Sequence, residues 1–219
     1  MEDLLDYPKF QHPSSICICG PTMAGKTTLL YNLLKSADKM FSVPPNKIMY
    51  CYGSWQPLFD EMRETIPNIK FIQGLPTKEQ IGQSFQGVRL VILDDLMGQM
   101  SKDDTMEKVF TQAVHHLGLT LIYVLQNLFF KNTRTARINS HYIILFKNPA
   151  DNLTPQILAK QICPDNKKFF LESLKDAFSQ SHGYSYILLD LHQSTPDFLR
   201  LRTKILPYEN TVVYVPKKT

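Results

Sequence analysis

Four apolar runs constrain the fold of this chain more than any other feature: "ICIC" from Ile16, "LVIL" from Leu90, "LIYVL" from Leu121 and "YIILF" from Tyr142. A strand with one face in water alternates apolar and polar residues, whereas an unbroken apolar strand is covered on both faces. Helical stripes stand between the runs. The leucines Leu29, Leu30, Leu33 and Leu34 in "KTTLLYNLLKSA" recur at the spacing of one helix face. The pattern predicts an α/β domain with a mostly parallel central sheet and helices on both sides.

The remaining segments extend the alternation. "NKIMYCYG" and "NIKFIQG" read as strands, "QPLFDEMRETI" as a helix begun near Pro57, and "TKEQIGQSF" as a short helix begun at a Thr77 cap. "KDDTMEKVFTQAVHHLG" is expected to be a helix closed at Gly118. From Pro149 the texture shifts to two helices, "LTPQILAKQIC" and "NKKFFLESLKDAFSQS", then to "GYSYILLDLH" and "ENTVVYVP", expected as strands added at a sheet edge. The expected layout is an N-terminal arm over 1–14 and one domain over 15–219, of which 149–219 is the helical and edge-strand part.

A chain of 219 residues, 43% apolar and 20% charged, can bury the core such a domain needs. No apolar stretch is long enough to span a membrane, and "MEDLLDYPKFQHPSS" is acidic and broken by prolines, unlike a signal or transit peptide, so a soluble intracellular protein with no membrane partner is expected. Cys17, Cys19, Cys51 and Cys163 form no C-x-x-C pair and no cysteine-histidine cluster, and are expected as reduced core residues. A net charge of +4 permits nucleic-acid binding without requiring it.

Between the first apolar run and its helix lies "GPTMAGKT", Gly20 to Thr27, with the spacing G-x-x-x-x-G-K-[ST]. In a strand-loop-helix setting the backbone N–H groups of such a loop converge on phosphate oxygens, and the helix N-terminus adds its positive end. The expected nucleotide-holding stretch is Gly20, Pro21, Thr22, Met23, Ala24, Gly25, Lys26, Thr27 and Thr28. Gly20 and Gly25 permit the unusual backbone angles, Lys26 reaches the outer phosphates, and Thr27 offers its hydroxyl to Mg²⁺. Nothing in the motif assigns a role to Met23 or Ala24.

The run "RLVILDDL" supplies the acids. Asp94 ends the strand and is the candidate Mg²⁺ carboxylate. Asp95 follows it and can position and deprotonate an attacking water. "LTLIYVLQN" ends in Gln126, an amide placed to orient a γ-phosphate if this strand lies beside the acidic one. In "KNTRTARIN", Arg134 and Arg137 sit on a loop outside the sheet, where an arginine can reach a neighbouring subunit's site or simply face solvent or DNA. Lys102, Lys131 and Lys147 are candidate contacts to a DNA backbone. Arg200, Arg202 and Lys204 alternate in "FLRLRTKILP", which makes a subunit contact, a DNA-facing row or a solvated strand face if that segment is extended.

Taken together, "GPTMAGKTT", "RLVILDDL", "LIYVLQNLFFKNTRTARINSHYIILFKNP" and "GYSYILLDLHQSTPDFLRLRT" resemble the poxvirus-type genome-packaging ATPases of the FtsK/HerA P-loop superfamily, in particular the short versions found in Polinton-like and adintovirus-like DNA elements. The resemblance covers Ser15 to Pro207 and is most specific from Gln126 to Pro149. It implies a three-layer P-loop sandwich of the RecA and FtsK/HerA kind and a DNA-dependent ATPase that uses ATP and Mg²⁺. Such a motor is a homo-oligomeric ring, pentameric or hexameric, that drives double-stranded viral DNA into a preformed capsid. It works with capsid proteins in the host nucleus or cytoplasm, or on the virion.

The resemblance also implies catalytic roles for Lys26, Asp95, Gln126 and Arg134, with Thr27 and Asp94 at the metal. Arg134 is the better candidate for a trans arginine finger, since the family's arginine stands five residues before the asparagine matched by Asn139. The chain differs from the wider superfamily at Asp95, where Glu is more usual, so a shorter side chain must reach the water.

Two other functions share the loop. A P-loop kinase for a nucleoside or other small molecule would use "RTAR" as a lid, but has no need of a second adjacent carboxylate or a strand-end Gln. A nucleotide-binding assembly subunit would bind without turnover. A GTPase is disfavoured because "NKIM" and "NKKF" lack the Asp of a guanine-reading segment.

Overall fold

The computed structural model describes residues 8–76, 90–96, 118–129, 137–179 and 185–217. The expected helices "TKEQIGQSF" and "KDDTMEKVFTQAVHHLG" lie outside these residues, except for Gly118, as do Lys102, Lys131 and Arg134.

The four apolar runs become β1 (Ser15–Cys19), β4 (Leu90–Asp94), β5 (Thr120–Leu125) and β6 (Tyr142–Phe146), each buried throughout. The other described strands are β2 (Ile48–Tyr52), β3 (Ile69–Gln73), β7 (Tyr186–Asp190), β8 (Leu201–Thr203) and β9 (Val212–Tyr214). They form one sheet in the order β3-β2-β4-β5-β1-β6-β7-β8-β9. From β3 to β6 every neighbouring pair is parallel, and β6-β7, β7-β8 and β8-β9 are antiparallel. The C-terminal strands therefore extend one edge of the parallel set, β7 and β9 as the sequence predicts, with β8 between them from the segment whose extended form the sequence left open.

Alternation along each strand divides the core between the two sheet faces. Ile16 and Ile18 of β1 face Leu29, Leu30 and Leu33 of α1 (Lys26–Lys35) and Phe59 and Met62 of α3 (Leu58–Thr65). Cys17 and Cys19 face the other layer, where α4 (Leu153–Ile162) contributes Leu158 and Ala159, and α5 (Lys167–Ser179) contributes Phe170 and Leu174. A short helix, α2 (Ala37–Met40), was not evident in the sequence. All four cysteines are free; the three in strands are buried, and burial pushes the thiols of Cys19 and Cys51 up to about 12. Within the described part of the arm, Phe10 is buried against Phe41 and meets Tyr142 edge-on at 4.9 Å.

The alternating basic row is not a surface row. Arg202, on β8, is 2% exposed, and its guanidinium meets Asp190 of β7 at 2.7 Å. Thr195 Oγ1 donates to the other oxygen of the same carboxylate at 2.9 Å. Arg200 folds back onto Asp197 and the carbonyls of Asp190 and His192, and Lys204 turns out of the strand with φ 54°. An antiparallel partner strand pulls this segment into the sheet, so its charges serve the fold.

Candidate nucleotide site

The site lies at the C-terminal ends of β1, β4 and β5, where an open parallel sheet leaves a crevice. The central relation is topological: β5 lies between β1 and β4. Gly20 N–H donates to Leu125 O at 3.1 Å and Asp95 N–H donates to Val124 O at 3.2 Å, so the end of β5 ties the loop after β1 to the acids after β4.

Gly20 is required sterically, because a Cβ there would stand 2.5 Å from Phe146 Cβ on β6. The loop turns through left-handed conformations at Met23 (φ 63°) and Gly25 (φ 96°), and Gly25 caps α1. The side chain of Met23 is 95% exposed, so its place in the motif is a backbone turn with the side chain directed into solvent. Lys26 Nζ donates to Gly20 O at 2.7 Å and to Pro21 O at 2.8 Å, which draws the ammonium back over the loop. Burial lowers the Lys26 pKa, while the neighbouring Asp94 and Asp95 carboxylates act to raise it. No acidic side chain occupies the first turn of α1, so its positive end stands uncancelled for an anion.

Asp94 is 5% exposed, and burial pushes its pKa up. The Tyr50 hydroxyl opposes that shift by donating to Asp94 Oδ2 at 2.7 Å, and the Lys26 charge also lowers the pKa, whereas Asp95 raises it further. Asp95 itself is exposed, with φ 56°. This left-handed turn is one that Asp tolerates better than most side chains. Gln126 Nε2 donates to Asp95 Oδ2 at 2.9 Å.

These groups line one cavity of about 580 Å³, whose lining also includes Thr28 and, at the start of α3, Gln56, Pro57 and Leu58. Nine of the sequence candidates thus share one space: Thr22, Met23, Gly25, Lys26, Thr27 and Thr28 from the loop and the start of α1, with Asp94, Asp95 and Gln126. Its size suits a nucleotide, since ligand pockets run from about 300 to 1,000 Å³. Among the described residues no cluster of three or more His, Cys, Asp or Glu side chains stands ready for a metal. Mg²⁺ needs none, being held through one or two protein oxygens with waters and substrate phosphates, and the Thr27 hydroxyl with the Asp94 carboxylate fits that donor set.

Sequence reasoning did not find Tyr50 or Gln56. The signal for Tyr50 was a phenol in the middle of an apolar strand, since a buried Tyr hydroxyl needs a partner. Arg137 is held within its own chain: its guanidinium donates to Gln161 Oε1 at 2.7 Å and lies 4.4 Å from the centre of the Phe129 ring. Lys147 Nζ donates to Phe178 O at 3.2 Å.

No family model matches this sequence, and no curated protein matches it either. Among solved structures the chain is similar to the genome packaging NTPase B204 from Sulfolobus turreted icosahedral virus 2 in complex with ATP-gammaS. That match is 14% identical with a TM-score of 0.51 and covers 94% of this chain and 98% of that one. The fold is that of a P-loop ATPase. A second structure, B204, the DNA-packaging ATPase from Sulfolobus Turreted Icosahedral Virus, matches at 10% identity with a TM-score of 0.51 and the same coverage, 94% and 98%. At that coverage the shared P-loop ATPase fold reaches beyond the parallel strands into the antiparallel ones. Among the described residues no helix is long and apolar enough to cross a membrane.

Proposed function

We propose that this chain is an ATP-hydrolysing motor subunit that moves double-stranded viral DNA into a preformed capsid. The observation that carries the reading is the convergence of Lys26, Thr27, Asp94, Asp95 and Gln126 on one cavity. A phosphate-binding loop alone holds a nucleotide. A loop joined to a second carboxylate, itself held by an amide from the intervening strand, is built to direct a water at the terminal phosphate.

In this mechanism the amides of the Gly20–Thr28 stretch hold the phosphates, and Lys26 exchanges its loop carbonyls for phosphate oxygens. Thr27 and Asp94 hold Mg²⁺, which neutralises phosphate charge when bound with the nucleotide. Asp95 accepts a proton from the attacking water, and Gln126 sets the direction of that carboxylate through its 2.9 Å hydrogen bond. Arg134 is the proposed trans finger, completing the site from a neighbouring subunit of a ring. The in-chain contacts of Arg137 favour this choice.

The motor reading is supported by the full-length similarity in fold to a viral genome packaging NTPase and by the family resemblance of the sequence. DNA is gripped by its phosphate backbone, which needs neither base contacts nor a high charge on each subunit. Capsid proteins are the proposed partners, at sites of virion assembly in the host.

The test is ATP hydrolysis measured with and without duplex DNA, beside the mass of the assembly. Stimulation by DNA in a ring-sized oligomer is expected, lost in Lys26→Ala and Asp95→Asn. Turnover that ignores DNA and rises with a nucleoside acceptor would falsify the motor in favour of a kinase, and tight binding with no turnover would leave an assembly subunit. For the finger, rings mixed from Arg134→Ala and Asp95→Asn subunits should recover activity where a sound arginine meets a sound carboxylate.

A further inference from the structure

We infer that Tyr50 is a positioning residue for the metal-holding carboxylate, acting through Asp94 without touching nucleotide. This rests on the proposed role of Asp94. Tyr50 belongs to β2, two residues before the register partner of Asp94, since Tyr52 stands opposite Asp94 and Tyr50 opposite Ile92. Ile92 and Asp94 point to the same sheet face, so the long Tyr50 side chain crosses the diagonal to the carboxylate. Its ring is fully buried, with the rings of Phe59 and Phe71 at 4.9 and 5.1 Å. Those contacts leave the phenol little freedom to swing, and its hydroxyl donates to Asp94 Oδ2 at 2.7 Å.

Tyr50 is thus a core residue, while Asp94 lines the cavity. The terminal torsion of a carboxylate is broad, so an unheld group can rotate over a wide range. The hydroxyl narrows that range and supplies a hydrogen bond that favours the charged form a divalent cation requires. Oriented ligands bind metal more tightly, and loss of such an outer partner costs about 10- to 100-fold in metal affinity. Phe59 belongs to α3, whose first residue, Leu58, also lines the cavity, so the aromatic contact links that helix to the residue that holds Asp94.

The experiment is Tyr50→Phe in the full chain, read by Mn²⁺ binding in the presence of ADP with electron paramagnetic resonance, and by nucleotide binding in EDTA. Tyr50→Phe should weaken Mn²⁺ binding about 10-fold or more, while metal-free nucleotide binding stays at the wild-type level. In an Asp94→Asn background the same change should produce no further loss. Mn²⁺ affinity equal in wild type and in a folded Tyr50→Phe protein overturns the role of Tyr50 alone. Wild-type protein that binds ADP but shows no Mn²⁺ site overturns the reading of Asp94, and this inference with it.

Discussion

Gln126 Nε2 donates to Asp95 Oδ2 across 2.9 Å, joining the residue after β5 to the residue after β4. The two are 31 positions apart in sequence, and both stand at a cavity that also contains Lys26 and Thr27. Asp95 pays for its position with a left-handed backbone, φ 56°, and the amide fixes where the carboxylate then points.

Removing that amide should impair chemistry more than binding. A hydrogen bond to a charged group contributes about 1.5–3 kcal/mol, equivalent to about 10- to 100-fold in rate. Gln126→Ala is expected to lower kcat by that factor with KM for ATP nearly unchanged, measured by steady-state hydrolysis. A rise in KM at constant kcat would make Gln126 a binding residue instead.

Asp95→Asn removes the proton acceptor and keeps the shape. Its kcat should fall by about 10²- to 10⁴-fold, while a fluorescent ATP analogue binds as tightly as to wild type. Lys26→Ala should instead lose binding of the same analogue.

The buried carboxylate of Asp94 predicts a stability gain when its charge is removed. Its pKa is raised in the folded protein, chiefly by burial, so the folded state prefers the protonated form. The wild type is then favoured at low pH and loses stability as pH climbs from the ordinary carboxylate value of about 3.9 through the raised folded value, with no further change above it. Asp94→Asn escapes this loss. In EDTA its Tm should exceed that of wild type near pH 7, by about 2–4 °C for each kcal/mol in a chain of this size. The difference should vanish toward pH 3. A lower Tm for Asp94→Asn at neutral pH would show the charge to be stabilising.

Arg202 and Asp190 form a fully buried pair between β8 and β7. Arg202→Ala leaves a buried carboxylate without its partner, at a cost of about 3–5 kcal/mol, which lowers Tm by roughly 6–20 °C. Thermal melting followed by circular dichroism tests this, and a loss within 2 °C would count against the pair as the lock of the C-terminal strands.

Gly20→Ala tests the close approach of β1 and β6. The new methyl would meet Phe146 Cβ at 2.5 Å, so the loop or the strand must shift. The expected cost is about 1–3 kcal/mol in stability, with weaker nucleotide binding. Because the clashing atom is the Cβ, Phe146→Gly should relieve part of it in the double variant, judged against Phe146→Gly alone.

The sequence by itself determined the parts of this protein whose cause is local. Burial on two faces demands unbroken apolar strands, so β1, β4, β5 and β6 were legible from Ile16, Leu90, Leu121 and Tyr142 onward. The phosphate loop was legible because glycine is needed at both ends of it, at Gly25 for a left-handed turn and at Gly20 for want of room beside Phe146, and the acids because they end an apolar run. Only the tertiary structure decided that β5 enters between β1 and β4, which puts Gln126 beside Asp95. It also drew Tyr50 to Asp94 from 44 positions away and buried Arg202, which the sequence left open to a subunit or DNA contact. The physical reason is that a strand's own residues state how deeply it is buried, whereas its neighbours are chosen by packing and hydrogen bonding among segments far apart in the chain.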